Sequence, residues 1–393
     1  MSIPALDRPR PEHRAADLLA AYLPGSFFYS STSGSLLADG VHALVDTGRG
    51  SRADAAATAL ADAAASGVDE PVVVGALGFA AAAQACLVVP ALVRRAGARS
   101  AAPAPPPLPG RWSVRRRPEP QDYVDGVRRA LALIGDGSLE KVVLARSLEL
   151  TADRVVAVPA LLSRLVAADP AAHAFAVDVT APGDAAPRTL VGASPELLVS
   201  RTGDVVRANP LAGSRPRAGD AAEDARRIAG LRTSDKDRRE HAMVTAQVAE
   251  VLGRFCTDLQ VPAYPDVLGT ATMWHLSSPI SGRLDDPSVS SLALAEALHP
   301  TPAVCGTPAA AARGAIGEIE GVDRGYYSGL VGWCDAGGDG EWAVTLRSAE
   351  VSGDTVRLFA GAGVVAGSDP DAELAETGAK FRTLLRAIGL EDV

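Results

Sequence analysis

The stretch that decides the fold is residues 141–146, which read KVVLAR. Its apolar centre is typical of a buried β-strand, yet it opens on a charged residue, Lys141. Another charge occupies similar surroundings, since Glu196 directly precedes the apolar residues 197–199. A buried charge costs several kcal/mol unless it is paired or bound to a metal. Charges kept against apolar segments indicate chemistry, and we expect an enzyme.

Length and composition leave room for a large folded catalyst. The 393 residues can form one large domain or about two to three average ones. The hydrophobic fraction of 47% is ordinary for a globular protein, which excludes global disorder. A formal net charge of −9, with no dense basic run beyond residues 115–117, argues against a nucleic-acid partner.

The cysteines and the apolar segments indicate the compartment. The four cysteines are far apart and form no Cys-x-x-Cys pair, so neither a disulfide framework nor a zinc site is indicated and a cytoplasmic location is expected. No apolar stretch follows the N-terminal arginines, so we predict no signal peptide. Residues 71–93 are long enough to cross a bilayer, but glycine, glutamine and proline interrupt them. We predict two buried strands there, Val72–Leu77 and Ala85–Val89, joined by a turn.

The chain has one candidate boundary. Residues 97–120 are rich in proline, alanine and arginine and are typical of an extended surface connection. The segment before it lacks an obvious complete core. We therefore divide the chain into residues 1–118, an N-terminal part of the same fold that includes this connection, and residues 119–393, the catalytic core.

Strand runs followed by helices, rather than strict alternation, favour an α+β fold. We predict a long helix over residues 221–255 and strands over residues 327–335, 342–348 and 356–362. A last helix is predicted over Pro370–Ile388, with Ser368 and Asp371 forming a capping box at its start.

Two of these helices carry carboxylates on one face. Glu240 lies on the same helical stripe as the valines at 244, 248 and 251, with Asp237 one turn earlier. In the last helix, Glu373 and Glu376 share a face with Lys380. Two such pairs can enclose a hard divalent cation such as Mg²⁺. Spacing alone equally supports ordinary surface ion pairs.

Several weaker signals accompany these charges. Gly213-Ser214 and Gly361 stand at turns or strand ends, where backbone N–H groups can bind a carboxylate. None of the glycine-rich segments matches a dinucleotide or phosphate-loop fingerprint. His275 taken alone favours a hydrogen-bonded core histidine. No serine-hydrolase or zinc motif is present.

Taken in order, these segments resemble the chorismate-utilising enzymes, which include isochorismate synthases, salicylate synthases and the large subunits of anthranilate and aminodeoxychorismate synthases. The resemblance covers about residues 120–390, and the N-terminal third matches only loosely. The matching motifs are KVVLAR (141–146), VGASPEL (191–197), PLAGSRPR (210–217), KDRREH (236–241), LHPTPAVCGT (298–307) and RGYYSGLVGW (324–333). Further matches are His275–Leu276 and residues 340–347, 359–363 and 373–380.

The resemblance implies an α+β fold with a large, mostly antiparallel core of two stacked sheets flanked by helices. It also implies catalytic roles on chorismate. Lys141 would be the general base that activates water for attack on ring C2, and Glu196 the general acid that protonates the departing C4 hydroxyl. The apolar surroundings of the two residues are consistent with these roles. Burial disfavours the charged form of each side chain, so it favours a neutral lysine that can act as a base and a protonated glutamate that can act as an acid.

The same resemblance implies the ligands. Glu240 and Glu376 would bind Mg²⁺, with Asp237 and Glu373 close by or acting through water, and the ion would hold the ring carboxylate. The residues expected to contact the substrate are Gly213, Ser214, His275, Ala303, Tyr327, Arg347, Gly361 and Lys380. Among them Arg347, Tyr327, Lys380 and the Gly361 amide would hold the enolpyruvyl carboxylate, and His275 would lie beside the ring.

Departures from related subgroups favour a siderophore-type isochorismate synthase. Ammonia-using anthranilate synthases typically lack the lysine at 141, and aminodeoxychorismate synthases often carry a lysine where this chain has Ala212, so water is the expected nucleophile. Salicylate synthases tend to have threonine in place of Ala303. We expect a cytoplasmic monomer with no amidotransferase subunit and no nucleic-acid or membrane partner. The alternatives are a salicylate synthase that eliminates pyruvate, a menaquinone-pathway isochorismate synthase, and a non-catalytic chorismate-binding module.

Overall fold

The computed structural model describes residues 13–48, 50–80 and 85–391. Within them the chain forms nine helices: α1 (Ala15–Ala20), α2 (Arg52–Ala65), α3 (Pro120–Gly135), α4 (Val158–Ala168), α5 (Ala221–Thr233), α6 (Asp235–Leu252), α7 (Ser291–Leu298), α8 (Ala309–Glu320) and α9 (Pro370–Ile388).

The same residues form 22 strands. The first eleven are β1 (Phe27–Ser30), β2 (Ser35–Asp39), β3 (Ala43–Leu44), β4 (Val72–Leu77), β5 (Ala85–Val89), β6 (Leu92–Ala96), β7 (Trp112–Arg117), β8 (Lys141–Ala152), β9 (His173–Asp178), β10 (Arg188–Ser194) and β11 (Leu197–Thr202). The others are β12 (Val205–Ala208), β13 (Leu211–Pro216), β14 (Cys256–Gln260), β15 (Asp266–Gly269), β16 (Met273–Ser277), β17 (Ile280–Leu284), β18 (Gly306–Thr307), β19 (Leu330–Asp335), β20 (Gly340–Val344), β21 (Ser348–Ser352) and β22 (Thr355–Val365).

Two large antiparallel sheets contain most of these strands. One has ten strands in the order β18-β8-β22-β21-β10-β9-β1-β2-β6, with β7 also paired to β8. The other has nine in the order β14-β17-β12-β11-β20-β19-β4-β5-β3, and β13, β16 and β15 form a small third sheet. The strand Lys141–Ala152 pairs with β22 over eleven consecutive residues, from Lys141 to Thr151.

Apolar side chains hold the two large sheets face to face. Phe27, Tyr29 and Phe175 from the first sheet share one buried cluster with Val74 and Val331 from the second. The outer faces are covered by helices: α1, α4 and α9 contribute to the cluster on the first sheet, and α2, α6 and α7 to that on the second. The predicted α+β class with two stacked antiparallel sheets flanked by helices is confirmed.

The N-terminal residues contribute strands to both sheets. Strand β1 pairs with β9 in the first sheet, and β4 pairs with β19 in the second. The two strands predicted in the apolar segment have the observed bounds of β4 and β5, and they pair with each other. Part of the turn predicted between them, residues 81–84, lies outside the described residues. None of the helices in the described part of the chain combines the length and the apolar character that a membrane crossing requires.

Some element boundaries predicted from the sequence are wrong. The helix predicted over residues 221–255 is two helices, because Ser234 leaves the helical conformation and its side chain caps α6 by accepting a hydrogen bond from the Asp237 N–H. The cap of α9 is Asp369, which accepts from the Ala372 N–H, and not Ser368. The strand predicted over residues 342–348 is two strands, β20 and β21, and α8 was not predicted.

Candidate active site

A cleft with about 550 Å³ of empty space lies where β8, β22, β13 and β16 meet the helices α6 and α9. Eleven of the predicted site residues line it: Glu196, Gly213, Ser214, Glu240, His275, Ala303, Tyr327, Arg347, Gly361, Glu376 and Lys380. Lys141, Asp237 and Glu373 do not line the cleft and lie behind its wall. The structure therefore brings residues from most of the predicted motifs to one place.

Lys141 is the first residue of β8 and is completely buried, with 0% of its surface exposed. Its ammonium group lies 3.0 Å from Glu240 Oε1 on α6, as an ion pair without the alignment of a hydrogen bond. Glycine at position 363 makes this approach possible, because a Cβ there would lie 2.1 Å from Glu240 Oε1 and 3.1 Å from Lys141 Cε. Both Glu240 and Gly363 line the cleft, so these two residues separate Lys141 from it.

Glu196 faces the cleft from the turn between β10 and β11. Only 3% of its surface is exposed, and burial raises its pKa to about 7. A hydrogen bond from the Leu211 N–H and the positive charges of Lys141, Arg347 and Lys380 act in the opposite direction but do not outweigh burial. This carboxyl group can therefore hold a proton near neutral pH and release it to a bound molecule.

His275 stands between a hydroxyl group and a guanidinium group. Its Nδ1 lies 3.0 Å from Ser214 Oγ and its Nε2 lies 3.5 Å from Nη2 of Arg347. Because a guanidinium can only donate, Nε2 accepts and the Nδ1–H donates to Ser214. Burial, followed by the charges of Arg347 and Lys380, keeps the pKa of His275 well below its usual value. The ring is therefore neutral, and it can hydrogen-bond or pack against a ligand without adding charge.

The opposite part of the cleft is cationic. Lys380 on α9 pairs with Glu376 at 2.6 Å and donates to the carbonyl oxygen of Gly361 at 2.9 Å. Arg347 is buried in a left-handed backbone conformation with φ 48°, which a non-glycine residue rarely adopts. Tyr327 stacks on Phe359 with ring centroids 5.1 Å apart. Two fixed cations beside a rigid aromatic ring suit a carboxylate-bearing ligand.

The four carboxylates predicted to hold a metal do not form one cluster. Among the described residues, no three His, Cys, Asp or Glu side chains are placed to hold a metal ion. Asp237 is held by Arg215 at 2.7 Å, and Glu373 by Lys236 at 2.5 Å. Only Glu240 and Glu376 face the cleft.

These two carboxylates, one from each helix, nevertheless fit a Mg²⁺ ion, which needs one or two protein carboxylates and takes its other oxygens from water and substrate. The carboxylates behind them are also perturbed: burial raises the pKa of Asp237 and of Glu373, and the negative charges of Glu240 and Glu376, respectively, add to this increase.

Sequence reasoning missed part of the cleft wall. The additional residues are mostly apolar or small: Val143, Pro195, Leu211, Ala212, Val304, Ser328, Leu346 and Gly363. All eight lie in segments that the resemblance had matched, and proximity to a predicted site residue was the available signal. For Leu346 that neighbour is Arg347, but an apolar side chain in a predicted strand carries no signal of its own.

Comparison with known proteins agrees with this geometry. The family model described as chorismate binding enzyme matches residues 88–389. The chain belongs to this family. Isochorismate synthase DhbC of Bacillus subtilis is 49% identical over 399 residues, which cover 97% of this chain and 98% of that protein. The vibriobactin-specific isochorismate synthase of Vibrio cholerae is 47% identical over 274 residues, covering 70% and 68%.

Comparison with solved structures supports the same family assignment. The crystal structure of DhbC from Bacillus anthracis matches with a TM-score of 0.91 and 43% identity, over 96% of this chain and 99% of that one. The predicted membership among the chorismate-utilising enzymes, in the siderophore-type isochorismate synthase subgroup, is confirmed. The roles assigned to individual residues stay predictions.

The titration of Glu196 provides a first test. Its folded-state pKa of about 7 lies above the value of about 4.5 of a free glutamate, so folding favours the protonated form. This contribution to stability is complete below about pH 4.5 and is lost as the pH rises through about 7, on the order of 3 kcal/mol in total. Urea unfolding of wild type and Glu196→Gln at pH 5 and pH 8 should show this difference only in wild type.

The control is Glu250→Gln, which changes an exposed glutamate of α6 and should keep the wild-type pH dependence. If wild type and Glu196→Gln lose the same stability between the two pH values, Glu196 is not held in its protonated form.

Proposed function

We propose that this chorismate-binding enzyme is an isochorismate synthase that converts chorismate reversibly into isochorismate, with Mg²⁺, for siderophore biosynthesis. The observation that carries the proposal is Glu196, a buried carboxyl group with a pKa of about 7 that faces a cleft lined by cations. Similarity over almost the whole chain to isochorismate synthase DhbC of Bacillus subtilis supports it.

The proton transfers follow from two buried groups. A water molecule attacks ring C2, and Lys141 would accept the proton that this water gives up, from the side of the cleft where Glu240 and Gly363 lie. The two ring double bonds shift by one position, and the bond between C4 and its hydroxyl oxygen breaks. Glu196 donates a proton to that oxygen, which leaves as water, so atoms and charges balance.

The substrate is held by charge and by shape. Arg347 and Lys380 would bind the enolpyruvyl carboxylate, with the Tyr327 hydroxyl and the Gly361 amide completing its site. The neutral ring of His275, fixed by Ser214, would lie beside the substrate ring. The backbone at Gly213, with φ 74° at a bulge in β13, lets this strand curve around the cleft.

The metal requirement rests on Glu240 and Glu376. Both line the cleft from neighbouring helices, where they would otherwise face the ring carboxylate of a dianionic substrate. A bound Mg²⁺ would supply charge neutralisation at that carboxylate. Asp237 and Glu373, held by Arg215 and Lys236, would support the two ligands from behind or through water.

The product is assigned from the wall that contains Ala303. Elimination of pyruvate requires the hydrogen on C2 to be aligned with the enolpyruvyl oxygen, and misplacement by about an ångström can cost roughly 10²-fold in rate. A small alanine leaves this part of the cleft open, so we assign isomerisation without elimination.

We further propose that the enzyme acts in the cytoplasm, as a monomer and without an amidotransferase subunit. The four cysteines are all free, which suits a reducing compartment.

The assigned acid and base can be tested directly. Lys141→Gln and Glu196→Gln should each lower the rate of chorismate consumption by about 10²–10⁴-fold, because each removes one proton transfer. Circular dichroism should show a folded protein in both cases, and Glu250→Gln should retain the wild-type rate. Near-normal turnover in either variant would remove that residue from the mechanism.

The metal can be tested by removal and by titration. Excess chelator should stop turnover and added Mg²⁺ should restore it. Glu376→Gln should raise the Mg²⁺ concentration for half-maximal activity by roughly tenfold or more, since one of two carboxylate ligands is lost. Calorimetric titration with Mg²⁺ provides a readout that does not depend on turnover. Full activity in excess chelator would exclude the metal requirement.

A further inference from the structure

Strand β8 carries Lys141 and borders the cleft at Val143, but its edge opposite β22 is incompletely paired. Strand β18 pairs with it only at Lys141 and Val142, and β7 pairs with it only from Ser147 onward. Among the described residues, no strand residue lies in register on this edge between Val142 and Ser147. Of the buried backbone groups on this edge, the Val143 N–H donates to the Cys305 carbonyl oxygen at 2.8 Å. The Val143 carbonyl oxygen and the Ala145 N–H require other partners.

Two charged side chains supply those partners. Glu320, at the end of α8, accepts a hydrogen bond from the Ala145 N–H at 2.7 Å. Arg324 donates to the Val143 carbonyl oxygen at 2.8 Å. An acceptor for an N–H and a donor for a C=O, two residues apart, are what a neighbouring strand would offer. The pair therefore substitutes for the missing strand.

Arg324 also reaches the other wall of the cleft. Its Nη1 donates to the Val304 carbonyl oxygen at 2.8 Å, and its guanidinium lies 5.8 Å from the ring centre of Tyr327. Val304, its neighbour Ala303 and Tyr327 all line the cleft. One guanidinium thus bridges the strand of the proposed base and the Ala303–Val304 wall of the cleft.

The bridge is rigid. Arg324 is 2% exposed and pairs with Glu320 through two hydrogen bonds, Nε to Oε2 at 3.0 Å and Nη2 to Oε1 at 2.5 Å. The guanidinium also lies 4.5 Å from the ring centre of Phe79. A planar group fixed on several sides has little freedom to move, whereas a lysine would be a single flexible point charge. Neither Glu320 nor Arg324 is among the residues that line the cleft.

We propose that Glu320 and Arg324 are positioning residues, which replace a missing strand partner at Val143 and Ala145 and so fix the strand of Lys141 relative to the Ala303–Val304 wall. The inference rests on the proposed isochorismate synthase activity and adds to it a source of precision outside the cleft. Because Arg324 contacts the lining residues Val143 and Val304 from behind and neither Glu320 nor Arg324 lines the cleft itself, loss of the pair acts on the alignment of reacting groups more than on substrate affinity.

The decisive variant is Arg324→Lys, which keeps a positive charge beside Glu320 but cannot bridge both carbonyl oxygens. We expect kcat to fall by about 10- to 100-fold, with KM changed by less than about threefold. Hydrogen–deuterium exchange should become faster in the peptides that contain residues 141–147 and 302–306. The exchange measurement does not depend on turnover, so it tests the bridge even if wild type proves inactive on chorismate, a result that would overturn the proposed function instead.

Arg201 provides a matched control. It is also buried, it donates to the carbonyl oxygens of Gly203 and Val289 at 2.9 Å each, and it lies 3.8 Å from Asp339, but none of these residues lines the cleft. Arg201→Lys should keep kcat within about twofold of wild type. A kcat of Arg324→Lys within about twofold of wild type would contradict the proposal, as would an equal loss of kcat in Arg201→Lys.

A second variant separates positioning from stability. Glu320→Gln keeps an acceptor for the Ala145 N–H and leaves the bridge from Arg324 to Val143 and Val304 in place, but it removes the charge partner of a buried guanidinium. It should lower the midpoint of urea unfolding and keep kcat per folded molecule within about threefold. If Arg324→Lys does not fold, Glu320→Ala decides, because it removes the acceptor of the Ala145 N–H and the partner that fixes Arg324. A kcat per folded molecule lowered by about tenfold or more, with faster exchange in residues 141–147, supports the proposal, and an unchanged kcat and exchange rate contradict it.

Discussion

The cleft depends on one interaction, the ion pair between Lys141 and Glu240. It joins the first residue of β8 to helix α6 through a lysine with no exposed surface. A charge so deeply buried requires a partner, and the partner requires space. That space exists because positions 363 and 306 are glycines: a Cβ at 363 would lie 2.1 Å from Glu240 Oε1, and one at 306 would lie 2.2 Å from the Lys141 carbonyl oxygen. The ion pair therefore requires glycine at both positions as well as the two opposite charges.

The same burial gives similar groups different chemistry. Glu196 and Glu240 both face the cleft, but Glu196 has a pKa raised to about 7 by burial, while Glu240 has a lysine within 3.0 Å. One carboxyl group is thereby suited to give a proton and the other to bind cations, either Lys141 or a metal. His275 is kept neutral by burial beside Arg347. The surroundings of each side chain, more than its residue type, determine what chemistry it is suited to in the cleft.

Sequence patterns predict much of this arrangement where local physics decides it. The bounds of β4, β5 and α9 follow from apolar runs and flanking glycine and proline, and the stripe of Glu240 with three valines predicts its burial on α6. The break at Ser234 is harder to predict from the sequence, because a serine inside a helical pattern is compatible with either a cap or a continuous helix. Spacing also cannot show that Asp237 and Glu373 turn towards Arg215 and Lys236, since each of these ion pairs joins two elements that are distant in the chain. The bridge made by Arg324 depends on a gap in strand pairing that only the three-dimensional structure reveals.

Isotope labelling follows the proposed attack of water on C2 and the departure of the C4 hydroxyl without relying on any variant. Wild-type enzyme would be incubated with chorismate and Mg²⁺ in water enriched in ¹⁸O, and the products separated and analysed by mass spectrometry and NMR. We expect isochorismate with one ¹⁸O atom, located on C2, and little pyruvate. Isochorismate without the label, or salicylate and pyruvate as the main products, would contradict it.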